Sequence, residues 1–267
     1  MFRANSQIQL QLVLKENARR GAQKGAAAWI VQGLKLEESK LGVAAKARGV
    51  QSTSPTADKL NLEEMRAKLL KDIEKFHKEA RTFMTSNALS ALLVLARDNS
   101  DLGAEWDTLE PNVSGCSDGG VDDGDEIPAV PECLQLLLPS TLGAASCKTH
   151  GLTALVETEC ELRIGQMNDT LHAVRVSIGY KSFLYRHRVR PATSQHKKLR
   201  SFDEVHLADE GILSNARKYE TARSALLRLY DPSDPADSRE LGRITARYQT
   251  LQRIDLRANT AIVESAV

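Results

Sequence analysis

Glycine, aromatic side chains and long apolar runs are all scarce in this sequence of 267 residues. Its 16 glycines and 4% aromatic content argue against a glycine-rich nucleotide-binding enzyme and against a β-sandwich. No run of 18 apolar residues occurs, so the sequence predicts no membrane-spanning helix. The first residues lack the charged-then-apolar layout of a secretory signal. We therefore expect an intracellular protein, nuclear or cytoplasmic, that is neither secreted nor membrane-bound.

Cysteine is also sparse, and its four positions are widely spaced with no C-x-x-C pair: Cys116, Cys133, Cys147 and Cys160. A structural zinc site normally takes two close pairs of ligands. In an intracellular protein this spacing predicts reduced thiols and no metal centre. The acidic run Asp122, Asp123 and Asp125 does not fit a calcium loop, because Gly124 occupies the third loop position.

Motifs for catalysis are missing as well. There is no glycine-rich phosphate loop followed by Lys and Ser or Thr, no H-E-x-x-H and no G-x-S-x-G. The residues alone therefore indicate no catalytic residue, no metal ligand, no cofactor and no small-molecule substrate.

The net charge of +1 conceals two blocks of opposite sign. Residues 98–132 hold 11 acids and no Lys or Arg, together with several Gly and Pro. This composition cannot bury much apolar surface, so we predict a disordered acidic linker at 98–130 between an N-terminal helical hairpin region, 1–97, and a C-terminal helical bundle, 131–267. The linker either shields the basic block described below or is simply a solvated connection, and the second interpretation is the more economical one.

Apolar residues recur at helical spacing through most of the remaining chain. Between Asn61 and Thr85 they fall on one stripe with charges opposite: Leu62, Met65, Leu69, Ile73, Phe76, Ala80 and Phe83. We predict an all-α fold of long helices, arranged in an antiparallel bundle or in coiled-coil hairpins. The stripe of helix 61–85 must be covered, either by Trp29 and its neighbours or by a second copy of the chain. The second case is a helical scaffold that self-associates without binding nucleic acid.

Local signals predict where individual helices begin and end. Asn61 and Ser201 each start a pattern that resembles a capping box. Asp234 before Pro235 is typical of an N-cap followed by proline in the first helical position. Pro139 is expected to stop a short apolar helix or turn that begins at Pro131.

The second charged block is basic and spans residues 175–200, with eight Lys or Arg and no acid. We expect it on the end of a long helix, about 151–189, and on the loop 191–200 that follows. Its cations are the candidate nucleic-acid contacts: Arg175, Lys181, Arg186, Arg188, Arg190, Lys197, Lys198 and Arg200. Cations neutralise phosphates and aromatic rings stack on bases, and Tyr180, Phe183 and Tyr185 are interleaved here. Tyr185 falls on the apolar stripe and is expected in the core, and the whole block could equally be a solvated helix end.

The run from Glu161 to Val205 (ELRIGQMNDTLHAVRVSIGYKSFLYRHRVRPATSQHKKLRSFDEV) resembles the C-terminal helical region of fungal KDZ (Kyakuja–Dileera–Zisupton) transposases, the cysteine-cluster-associated group. In that family an E-x-x-L-R-x-G-Q-x-N-D-x-L-H-x-(V/I)-R helix leads to K-S-x-L-(F/Y)-R, a basic segment and a helix with a central Tyr. The similar segments of this chain are Glu159–Arg175, Lys181–Arg186, Ser194–Arg200 and Tyr219, with Trp29–Glu38 and Leu136–Ser140 upstream.

The resemblance implies a parent protein that cuts and joins DNA with an RNase H-like core, in which acidic residues hold two Mg²⁺ ions. In the family that core lies upstream of the region matched here, so no family catalytic residue can be assigned to a position of this chain. This chain lacks the family's cysteine cluster, and the family has no counterpart of the acidic linker. Val267 also falls short of the usual family terminus. We therefore expect a non-catalytic, transposase-derived helical fragment or accessory region.

Overall fold

The computed structural model describes residues 4–18, 24–98 and 130–258, and in these ranges it contains helices and no strand. The described elements are α1 (Ala4–Ala18), α2 (Ala26–Gly49), α3 (Thr56–Phe83), α4 (Ser86–Asp98), a 3₁₀ turn (Pro131–Cys133), α5 (Pro139–Leu142), α6 (Ala144–Thr149), α7 (Thr153–Leu184), a π-turn (Tyr185–Val189), α8 (Gln195–Arg228) and α9 (Pro235–Arg247). The predicted all-α fold is confirmed.

The two longest helices, α7 and α8, pack side by side as an antiparallel hairpin. Leu184 at the end of α7 clusters with Val205 near the start of α8. Met167, earlier in α7, clusters instead with Leu226 near the end of α8. Because α7 and its π-turn run from Thr153 to Val189, the long helix predicted over 151–189 is confirmed.

The N-terminal helices pack through aromatic side chains. The ring of Trp29 in α2 stacks on Phe76 in α3, with centroids 4.9 Å apart, and on Phe83 at 5.2 Å. The indole Nε1 of Trp29 also donates a hydrogen bond to the Phe76 carbonyl oxygen at 3.4 Å. The apolar stripe of α3, predicted to need a cover, is therefore buried against the chain's own α2.

The segment 131–138 packs against both α2 and α3 and continues their core. A Cβ atom placed on Gly33 would lie 2.8 Å from a methyl of Leu138 and 2.8 Å from the ring of Phe76. This close approach explains why a glycine interrupts an otherwise regular helix. The core cluster thus takes residues from both sides of the predicted linker, and the proposed division into 1–97 and 131–267 stays a prediction.

Two of the predicted helix starts are wrong. The helix α3 begins directly after Pro55, so Asn61 is an exposed residue inside it. The helix α8 is capped by Ser194, whose Oγ accepts the backbone N–H of Lys197 at 3.3 Å, and Ser201 lies within the helix. Both false starts arise because polar residues at capping-box spacing also occur inside long helices, Asn61 on an exposed face and Ser201 at a buried position.

Proline marks two further helix starts. Pro139 begins α5 rather than ending an element, because its fixed φ suits the first helical position, where no N–H bond is needed. The start of α9 agrees with the prediction, since Asp234 accepts the backbone N–H of Ala236 at 3.0 Å and Pro235 follows.

Residues 99–129, which make up nearly all of the predicted disordered linker, lie outside the described residues. Among the helices that are described, none is both long enough and apolar enough to cross a membrane.

Candidate nucleic-acid interface

The eight predicted basic residues lie along one end of the α7–α8 hairpin, which we call the basic hairpin end (residues 175–200). They divide among α7 (Arg175, Lys181), the π-turn (Arg186, Arg188), the connecting turn (Arg190) and the start of α8 (Lys197, Lys198, Arg200). The last three were expected in a loop. They are helical because α8 begins at Gln195.

Seven of these eight cations have exposed side chains. The exception is Lys181, whose Nζ pairs with the carboxylate of Asp209 on α8. Five acids follow further along α8: Asp203, Glu204, Asp209, Glu210 and Glu220. The positive charge is therefore concentrated at the hairpin end, where the N-terminal dipole of α8 reinforces it.

The π-turn holds the centre of the basic hairpin end in a defined conformation. The backbone N–H of Arg190 donates to the carbonyl of Tyr185 at 3.1 Å, a bond that spans five residues. The hydroxyl of Ser201 lies 2.8 Å from the carbonyl oxygen of Lys197 and 3.3 Å from that of Arg188. Ser201 therefore joins α8 to the π-turn. Turns of this type widen the helix locally and are frequent at functional sites.

Of the interleaved aromatic residues, only Tyr185 contributes to the core. Its side chain is half-buried and packs on the cluster of Leu184 and Val205, as the stripe pattern predicted. Tyr180 and Phe183 are both exposed. The basic hairpin end thus carries two exposed aromatic rings that do not pack in the core.

A second polar constellation lies inside the protein and centres on Arg163 of α7, whose side chain is fully buried. Its Nη2 donates to Glu37 of α2 at 2.8 Å and to Glu159 of α7 at 2.9 Å. Glu159 in turn accepts the backbone N–H of Ser140 at 2.9 Å and its hydroxyl at 2.6 Å. One buried guanidinium thereby joins α2, α5 and α7.

The network extends outward through two further side chains. The amide of Gln166 donates to Glu38 at 3.0 Å, and Lys218 of α8 lies 3.6 Å from the same carboxylate. Burial alone would lower the pKa of Arg163, but the carboxylates of Glu37 and Glu159 outweigh it and raise that pKa, so the guanidinium stays charged. Because Arg163 has no access to solvent, we interpret the network as structural.

The sequence indicated only part of this network. Glu159 and Arg163 are four residues apart on one helix, a spacing that favours an ion pair. Glu37 is 126 residues from Arg163 in sequence, so no local pattern could place it there.

The described cysteines correct one prediction. Cys147 and Cys160 are free thiols, whereas Cys133 is disulfide-bonded, so the expectation of four reduced thiols is wrong for Cys133. Sequence spacing alone does not show which cysteines approach each other in space.

Within the described ranges no group of three or more His, Cys, Asp or Glu could hold a metal ion. The run Asp122 to Asp125 lies outside those ranges.

Together the fold and the surface define a class: an all-α protein built on a long antiparallel hairpin, with a buried ionic network around Arg163 and a cluster of cations at one end. Comparison of the chain with protein-family models, with curated proteins and with solved structures finds no match.

Proposed function

We propose that this chain is a non-catalytic helical accessory module that contacts DNA through the basic hairpin end. The observation that carries the proposal is the exposure of seven cations in the segment 175–200, whose own sequence contains no acid. Such a surface releases counterions from the phosphate backbone, which supplies affinity without sequence recognition. A nuclear location is part of the proposal.

The resemblance to KDZ transposase tails supports the same function. Its quoted segments include Glu37, Ser140, Glu159 and Arg163, which are four members of the buried ionic network. If the chain derives from such a tail, these positions hold the hairpin in shape while the basic hairpin end contacts DNA. In this proposal the buried ionic network has a structural role, and the basic hairpin end has the role of contacting DNA.

Self-association through helix 61–85 is less well supported. The side chains that would form that surface, such as Leu69, Ile73 and Phe76, are buried within the chain. A scaffold function would need another surface, so we keep DNA contact as the single proposal.

The test is the salt dependence of DNA binding. Replacing Lys197, Lys198 and Arg200 with Ala should weaken binding and reduce the slope of log K against log salt by about 2.7 if all three touch phosphates of duplex DNA. The matched control replaces Lys68, Lys71 and Lys78, three exposed lysines of α3, and should leave the slope unchanged. Fluorescence anisotropy with a labelled duplex at several salt concentrations measures the affinity and the salt slope of both triple variants.

Two results would contradict the proposal. Absence of binding at about 50 mM salt, or a slope that the control changes as much as the triple variant does, would remove the basic hairpin end as the interface. Nicking or joining of DNA that needs Mg²⁺ and that one acid-to-Ala change abolishes would show that the chain is an enzyme.

A further inference from the structure

The outward face of α7 carries a row of exposed apolar and aromatic residues within the basic hairpin end. Val176, Tyr180 and Phe183 are 55%, 52% and 49% exposed, and His187 follows one turn later and is also exposed. The spacings of four, three and four residues place them on one side of the helix. That side points away from the buried Val174, and at its edge Tyr180 borders a groove that is also lined by Glu204, Leu207 and Gly211 of α8.

Three members of this row are rings, and two of them already face each other. The centroids of Phe183 and His187 are 4.6 Å apart with an angle of 33° between the ring planes. A helix rises about 1.5 Å per residue, so rings three or four residues apart follow one another at about 4.5–6 Å along the axis. Rings this close leave no room for a base between them, because an inserted base needs two stacking distances of about 3.4 Å, so bases stack on the outward faces of the rings.

Cations flank the rings on both sides along the chain. Arg186 and Arg188 neighbour His187 in the π-turn, and Arg175 precedes Val176. Their side chains are exposed, and none of the three forms an ion pair with another described residue. Phosphates can thus be neutralised beside the rings on which bases stack, the combination used by proteins that bind single strands.

We propose that the row Tyr180, Phe183 and His187 binds single-stranded DNA, with bases stacked on the rings and the backbone held by the neighbouring arginines. This proposal rests on the function proposed above and adds the strandedness of the nucleic acid. A duplex keeps the faces of its bases covered by their neighbours, so the rings gain nothing from it. The rings of Tyr180 and His187 are planar and can stack on bases, and a lipid surface is the alternative that the vesicle experiment below distinguishes.

The experiment replaces both Tyr180 and Phe183 with Ala, which removes two rings and leaves every charge in place. The probe is an oligothymidylate of about 12 nucleotides, within the site sizes of single-strand binders. Loss of stacking should weaken binding at least about tenfold, since each stacked base contributes about 1–3 kcal/mol. Affinity for a duplex and the salt slope should not change, because the phosphate contacts remain.

Three controls make the result specific. An abasic strand of the same length should bind the wild type and the double variant equally. The variant Phe202→Ala removes an exposed ring of α8 that is not part of the row, and should bind oligothymidylate like the wild type. The exchange Tyr180→Phe with Phe183→Tyr keeps both rings and should restore binding. Far-UV circular dichroism checks that each variant folds.

The outcomes separate this proposal from the one on which it rests. If the double variant binds oligothymidylate as tightly as the wild type while duplex binding persists, the stacking row is wrong and DNA contact stands. If neither form of DNA binds at about 50 mM salt, both proposals are wrong. If the wild type binds vesicles of anionic phospholipid but no oligothymidylate, and the double variant loses the vesicles, the row contacts lipid and the proposal is overturned.

Discussion

At the scale of single residues, Arg163 has the largest expected influence on stability. Its guanidinium is fully buried and meets Glu37 and Glu159 from different helices. We expect Arg163→Ala to lower the free energy of unfolding by about 3–5 kcal/mol, because it leaves buried carboxylates without their cation. Urea denaturation followed by circular dichroism measures the change.

The matched control for this prediction is Arg175→Ala, a change of the same type on the exposed face of the same helix. It should alter the free energy of unfolding by no more than about 0.5 kcal/mol. If Arg163→Ala lowers the free energy of unfolding by as little as the control does, the buried ionic network does not stabilise the fold.

The thiol of Cys147 leads to a prediction about pH. The side chain is buried and donates to the carbonyl of Pro139 at 3.3 Å, and burial raises its pKa to about 12. The folded state therefore keeps a proton that the unfolded thiol loses from about pH 9 upward. The stability contributed by this thiol is complete below pH 9 and falls as the pH rises towards 12.

The rate at which the Cys147 thiol is alkylated tests this prediction directly. At about pH 8 we expect alkylation of Cys147 to be slow in the folded protein and fast in urea, because the thiolate is the reacting form. Peptide mapping by mass spectrometry identifies the modified residue. Rapid alkylation of Cys147 without denaturant would mean that this part of the core opens readily.

At the scale of a helix, two glycines of α2 should respond in opposite directions to the same substitution. A Cβ on Gly33 would meet the buried side chains of Phe76 and Leu138 at 2.8 Å, whereas nothing lies within 4 Å of one on Gly42. We expect Gly33→Ala to destabilise the fold by about 1–3 kcal/mol through overpacking. Gly42→Ala should stabilise it by about 0.5–1 kcal/mol through helix propensity. Thermal melts of both variants test the pair, and stabilisation by both would contradict the close packing.

Helix periodicity was enough to predict α7 and the cations on it, because this pattern depends on residues close in sequence, but Lys197, Lys198 and Arg200 were expected in a loop and lie in α8. The start of α8 was wrong because Ser194 and Ser201 both fit a capping pattern, and only the contacts of their hydroxyls distinguish them. The partnership of Arg163 with Glu37 could not be predicted, since it depends on how α2 and α7 pack. The sequence therefore indicated the surface site in more detail than the buried network.

At the scale of the whole molecule, the core predicts one cooperative unit across the predicted linker. Leu138 packs on Gly33 and Phe76, and Glu159 and Arg163 are bound to residues on both sides of segment 99–129. We expect the fluorescence of Trp29, isolated by Trp106→Phe, to change at the same urea concentration as the far-UV circular dichroism of all helices. Coincident transitions indicate two-state unfolding. Two separate transitions would instead show that the regions 1–97 and 131–267 are stable independently, and that their shared core contributes little to either.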